Sequence, residues 1–254
     1  MGLFEGEERA DRGVPKAMYA RSTDSPVLLI GAAHVIDLAR PLRELLNERT
    51  LDGIAIELDA ERADALLAPE GRRPRGGGPL FARLWSLLQR RLGAEIGGGV
   101  PGAEMKAAAL VARERSLPLF LVDDPIRSTL VQLVRAMPFK ERVLLLASAV
   151  VGLFLPARVV ERAIDRYVDA PDDYTAELRQ VSPTLARVLI DDRNEHMADR
   201  LAELRHRGYG RIAVVVGDAH LSGLRTALGR RGIPTESVPF RELRAAKGRA
   251  PSSS

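Results

Sequence analysis

The sequence predicts an α/β fold: a mainly parallel central sheet flanked by helices, with an inserted helical lobe. Three observations carry this. Val27-Leu-Leu-Ile30 and Ile212-Ala-Val-Val-Val216 are short apolar runs, the habit of strands buried on both faces in parallel sheets. Segments with helical spacing of apolar residues alternate with such runs, as right-handed β-α-β crossovers require. Both runs also end in the same frame, Gly31-Ala-Ala-His34 and Gly217-Asp-Ala-His220. Ligands of open α/β sheets sit beyond the carboxyl ends of the strands, so both histidines fall where such a protein builds its site.

Taken in order, residues 1–24 are polar and charged and read as a flexible leader. A strand over 26–31 is followed by an amphipathic helix over Ile36–Glu48, with Ile36, Leu38, Leu42, Leu45 and Leu46 on one face. Asp52-Gly53 turns into a second strand, Ile54–Leu58, which ends in the carboxylate of Glu57. A helix spans 60–67. Pro69–Pro79 and Gly97–Gly102 are loops by composition, with a helical pattern over 80–92 between them. The Ala-rich stretch 103–116 is a strong helix former. Leu119–Val122 is the third strand, closed by Asp123-Asp124-Pro125.

From about 126 to 180 the pattern is helical and apolar, and this is the inserted lobe. Its longest apolar run, Val143–Ala157, is shorter than the roughly 20 residues that span a bilayer and reads as a buried helix. Pro183 opens a long helix that runs to Arg207 and is capped by Gly208. Strand four is 211–216, a helix covers 221–230, and 234–238 reads as an edge strand. One domain, 25–240, therefore carries the fold, and 241–254 reads as a basic, disordered tail.

Composition narrows the function. There is no cysteine, which excludes disulfides, thiolate metal sites and cysteine nucleophiles and suits a reducing, cytoplasmic setting. The pI near 9.7 invites nucleic acid, but 34 acidic residues nearly balance 38 basic ones and only 4% of residues are aromatic. Little is left for base stacking, so nucleic acid is not the expected partner. No basic-then-apolar signal segment opens the chain.

The chemistry-bearing candidates are few. Imidazole is a common metal ligand and a general acid or base; the duplicated Gly-x-x-His frame makes His34 and His220 the leading pair. Glu57 closes a buried strand, where a carboxylate needs a partner. Glu104, in the first turn of a helix, and Asp218 have an ordinary alternative as complements of helix dipoles. Asp123 and Asp124 end strand three. Asp191-Asp-Arg193-Asn194 lies inside the long helix and reads on composition alone as an exposed charged face. No His-Glu-x-x-His motif, nucleophile elbow or P-loop is present.

These segments in order resemble the TraB family, which includes PrgY-type pheromone-shutdown proteins and is related to GumN and Tiki proteins. The matching residues are Leu28–His34; Ile56-Glu57-Leu58 with Arg62; Gly102-Ala-Glu104-Met105; Leu121-Val-Asp123 with Thr129-Leu130; Asp192-Arg193-Asn194 with Met197-Ala198; and Val214–Leu221 with Gly223. The resemblance implies an erythromycin-esterase/ChaN-like fold and a metal-dependent hydrolase site with peptides as substrate class. It makes His34 and His220 the motif histidines and Glu57, Glu104, Arg193 and Asn194 the accompanying polar positions. The chain departs from the family pattern at Asp124, where a basic residue is usual.

The expectation that follows is a divalent ion (zinc, manganese or cobalt) held by His34 and His220 with Glu57 or Glu104. The other glutamate serves as general base, and Arg193 or Asn194 stabilises the oxyanion. The alternative is a non-catalytic protein that binds or sequesters a peptide or small signal molecule. That protein would form a homodimer, or touch a membrane surface without spanning it, through the helical lobe.

Overall fold

The structure, a computed structural model, describes residues 25–32, 38–68, 102–154, 162 and 170–247. The expected leader, the helix at 80–92 with its flanking loops, and His34 lie outside the described residues. Five strands form one sheet: β1 (Val27–Ala32), β2 (Gly53–Ile56), β3 (Leu119–Leu121), β4 (Ile212–Gly217) and β5 (Thr235–Val238). The order across the sheet is β3-β2-β4-β1-β5, and each pairing is parallel. The expected α/β class holds.

Strand alternation assigns the two faces. Leu28, Ile30, Ile54, Ile56, Ala213 and Val215 point to one face. Val27, Leu29, Ala55, Ile212, Val214 and Val216 point to the other. Both faces are apolar because both are covered by helices. The first is covered by α1 (Ala39–Glu48), the Leu66 end of α2 (Ala60–Leu67), and α3 (Ala103–Glu114). The lobe follows β3, and its described residues include α4 (Ile126–Ala136), α5 (Phe139–Phe154), α6 (Pro171–Val181) and the short α7 (Pro183–Ala186). It leads into α8 (Asp192–His206), which with α9 (Asp218–Arg230) covers the second face.

Connections from β2 and β1 thus run over one face, and those from β3 and β4 over the other. Strand β2 lies between β3 and β4. Both of its carboxyl-end flanks are therefore switch points, where neighbouring connections part and leave a crevice.

Three expectations needed correction. The long helix over 183–207 is interrupted: Arg187–Asp191 is a π turn, with the Asp192 N–H bonded to Arg187 O, between α7 and α8. Such insertions re-register a helix and concentrate at functional sites. The run expected over Val143–Ala157 ends outside the described residues, and its described side chains, at its start, are not buried. Val143 is 50% and Leu144 45% exposed, because the two sheet faces already have their helical layers and α5 has none to enter.

The third correction is the tail. Phe240–Lys247 forms a helix, α10. Phe240 and Leu243 join the core on the α1 face, so two apolar residues one turn apart anchor what composition alone reads as a basic tail.

Candidate functional site

Glu57 is the first residue beyond β2. Ile56 faces α1 and α3, so alternation sends Glu57 to the α8 and α9 side, where it is buried. Its Oε2 accepts from the Gly217 N–H at 2.6 Å. Its Oε1 accepts from Arg193 Nη2 and stands 3.3 Å from His220 Nε2. Three strand ends meet in this carboxylate and its neighbours: Glu57 from β2, Gly217 and His220 from β4, and Asp123 from β3.

Arg193 lies at the centre. Its Nε donates to Asp123 Oδ1 at 2.9 Å and its Nη2 to Asp123 Oδ2 at 2.6 Å, a bidentate pair. Nη1 donates to Leu189 O at 3.1 Å and lies 3.2 Å from His220 Nε2. With Nη2 also bonded to Glu57, each of the five guanidinium N–H groups has a partner. The π turn brings Leu189 O into reach of that side chain.

Asn194 and His220 complete the cluster. On α8 the buried residues Asn194, Met197, Ala198, Leu201 and Leu204 form one stripe at helical spacing. Asn194 is its rim end. His220 sits in the first turn of α9, and its Nδ1 is 2.9 Å from Asn194 Oδ1. The two helices meet closely there: a Cβ on Gly223 would lie 2.1 Å from Asn194 Nδ2. A glycine is what lets the carboxamide reach the ring.

Electrostatics follow the burial. Desolvation by itself pushes the Glu57 carboxyl up. Attraction to His220 with its ring protonated on both nitrogens and to Arg193, with hydrogen bonds from that ring and the Gly217 N–H, outweighs it and holds the group well below 4.5. Burial works against the Arg193 cation, yet Glu57 and Asp123 more than offset this and raise its pKa further.

Of the expected site residues, the structure brings Glu57, Arg193, Asn194 and His220 together. Glu104 is buried in the first turn of α3, a helix that covers the opposite face. His34 lies outside the described residues. Asp218 serves the fold, because its Oδ1 accepts from the Phe240 N–H at 3.0 Å, at the start of α10. Burial raises its carboxyl, and repulsion from Asp172 adds to this against the Phe240 N–H and Arg241.

Two members of the network had no role assigned from sequence. Asp123 binds Arg193 and also accepts from Arg62 Nη2. Arg62 in turn is held by Asp59, which caps α2 and accepts from the Ile126 N–H at 3.1 Å. Both Asp123 and Arg62 stood among the matching motif residues, which was the available signal. Asp124, the departure from the family pattern, faces His196 at 3.4 Å rather than the cluster.

The chain is matched over residues 18–236 by the model of the TraB/PrgY/gumN family. The chain belongs to the TraB/PrgY/gumN family. It is also 30% identical over 208 residues to an uncharacterized protein of Methanocaldococcus jannaschii, covering 78% of this chain and 52% of that relative. The chain thus spans about half the length of the curated relative it matches. Within the described part of this TraB-family chain, no helix is long and apolar enough to cross a membrane.

Proposed function

We propose that this TraB-family chain is a metal-dependent hydrolase acting on peptides, including peptide signals, with its reaction centre at the Glu57–Arg193–His220 cluster. The observation that carries the reading is the buried edge between His220 Nε2 and Glu57 Oε1, 3.3 Å long. Two ligands of one tetrahedral ion, each bonded at about 2.0–2.1 Å, stand about that far apart. Asn194 on Nδ1 is the outer partner that orients a ligating imidazole and leaves the lone pair on Nε2, which in this geometry faces Arg193 Nη1 at 3.2 Å and would turn to the ion.

Among the described residues no group of three imidazoles or carboxylates is set to hold an ion, so the reading needs His34 as a further ligand. Held by His34, His220 and Glu57, an ion of zinc, manganese or cobalt would supply hydroxide at neutral pH by lowering the pKa of bound water from ~16 toward ~7. Glu57 then takes the ligand role, and the proton-moving role falls to the remaining glutamate, Glu104, whose first-turn position in the helix leading into β3 puts it toward the carboxyl rim of the sheet from the opposite face. Arg193, with its donors all engaged, positions Glu57 and Asp123, and Asn194 holds the His220 proton on Nδ1. The lack of cysteine supports a cytoplasmic setting.

The test is elemental analysis of purified wild type, Glu57→Gln and His220→Ala, beside mass-spectrometric detection of cleavage in a peptide mixture. The expected result is roughly one ion per wild-type chain, with both ion and cleavage lost in the variants. A metal-free wild type whose turnover neither substitution changes would end the reading.

A second reading, binding without catalysis, is favoured by the saturated Arg193, which has no N–H left for an oxyanion in this geometry. The exposed lobe residues Phe139, Val134 and Val143 offer a homodimer face for it. Peptide retention without cleavage would select this reading. Light scattering on wild type and Phe139→Asp would test the dimer, which an unchanged monomer in both would remove.

A further inference from the structure

A cavity of about 360 Å³ opens at the same rim of the sheet, beside the amino end of α9 but toward β5. Its walls include Asp172 and Asp173 of α6, Asp218 and Arg225 of α9, Ser237 of β5 and Arg241 of α10. Three helices start here, and each carboxylate belongs to a first turn. Asp218 accepts from the Phe240 N–H, and Asp172 Oδ1 accepts from Ser222 Oγ at 2.6 Å. An aspartate in a first turn balances a helix end worth roughly half an elementary charge; Asp172 and Asp218 are engaged by hydrogen bonds as well, while Asp173 is exposed and has no side-chain partner among the described residues.

The donors differ. Ser237 Oγ is buried without a hydrogen-bond partner, and buried hydroxyls are rarely left so. Arg225 and Arg241 are exposed at the cavity and take part in no ion pair or hydrogen bond among the described residues. At α9's own far end the arginines are paired, Arg230 with Glu195 and Arg231 with Asp199. What the two guanidinium groups lack is a paired planar acceptor, and guanidinium groups match a carboxylate in that geometry.

We propose that this cavity is a subsite for the free C-terminal carboxylate of a peptide, seated between Arg225, Arg241 and the Ser237 hydroxyl. The choice of a peptide as bearer of that carboxylate rests on the proposed function; the demand for an anion does not. The α9 amino end then divides the work, with His220 facing the Glu57 cluster and Asp218, Arg225 and their neighbours facing the substrate's end.

The experiment is calorimetric titration of the full chain with tri-alanine, with tri-alanine amide and with inorganic phosphate. It is run on wild type and on the His220→Gln variant, so that binding is read whether or not hydrolysis occurs. The expected result is saturable tri-alanine binding that amidation weakens at least tenfold. Arg225→Gln/Arg241→Gln removes the difference between acid and amide, and Ser237→Ala weakens the acid alone. Equal binding of acid and amide, or a preference that survives the double substitution, overturns the proposal. So does arginine-dependent binding of phosphate without binding of the peptide acid. Binding of tri-alanine by wild type with no cleavage of it would instead count against the hydrolase reading only.

Discussion

Asn194 Oδ1 lies 2.9 Å from His220 Nδ1, while the opposite ring nitrogen faces Glu57 Oε1 at 3.3 Å. A carboxamide oxygen only accepts, so the neutral ring carries its proton on Nδ1 and turns the Nε2 lone pair to the cluster. Asn194→Leu removes that acceptor and leaves a buried N–H unsatisfied. The expected cost is about 1–3 kcal/mol of stability, and the ring redistributes toward the Nε2–H tautomer. Urea denaturation gives the first and nitrogen-15 chemical shifts of the imidazole give the second. An unchanged tautomer would show that Asn194 does not set it.

Arg193 neutralises two buried carboxylates at once, and this gives a pH-dependent prediction. The folded Glu57 carboxyl is held below its ordinary 4.5. Its contribution to wild-type stability is thus present above that value and is lost as pH falls through the depressed folded one. In Arg193→Met that counter-charge is gone, and burial works to raise the carboxyl of Glu57. The variant should be less stable than wild type by about 3–5 kcal/mol at neutral pH, the cost of leaving buried charges without a partner. That deficit should narrow between pH 7 and pH 5 as the Glu57 carboxyl takes up a proton. Parallel urea titrations at the two values decide it, and an equal deficit at both would mean that the charges are not what the guanidinium supports.

Much of this arrangement was legible in the chain. The apolar runs at Val27 and Ile212 gave the strands, and alternation past Ile56 is enough to turn Glu57 toward the helices that carry Arg193 and His220. Position in the fold was harder to read than identity. Arg193 sits in a stretch, Asp191-Asp-Arg-Asn-Glu, whose composition is that of a solvated face. Its burial depends on the π turn at Arg187–Asp191, which a periodicity of 3.6 cannot express. Asp123 looked like a strand terminus because its two arginine partners, Arg62 and Arg193, lie 61 and 70 positions away. Pairings at that range are set by the order of strands across the sheet, and strand order leaves no local mark.

The anchoring of α10 is testable directly. Phe240 is 1% exposed and packs into the core on the α1 face. Phe240→Ala should destabilise the protein by about 3–5 kcal/mol through lost burial and the cavity it leaves. A residue in a solvated tail would show no effect in thermal or urea unfolding, so a value within about 0.5 kcal/mol of zero, the range of surface sites, would remove α10 from the fold.

Two glycines on α9 separate packing from backbone propensity. A Cβ on Gly223 would meet Asn194 Nδ2 at 2.1 Å and Cγ at 3.0 Å, whereas one on Gly229 would meet nothing within 4 Å. Alanine favours the helical backbone over glycine by roughly 1 kcal/mol at either place. At Gly229 that gain stands alone, so Gly229→Ala should raise the unfolding midpoint. At Gly223 the methyl group must push Asn194 away from His220, and overpacking of about 1–3 kcal/mol outweighs the gain. Gly223→Ala should therefore be destabilised and should also reproduce the tautomer shift of Asn194→Leu, although it alters neither hydrogen-bonding group. If both alanines stabilise the protein equally, α8 and α9 do not approach as closely as this geometry requires, and Asn194 is not held against the imidazole by Gly223.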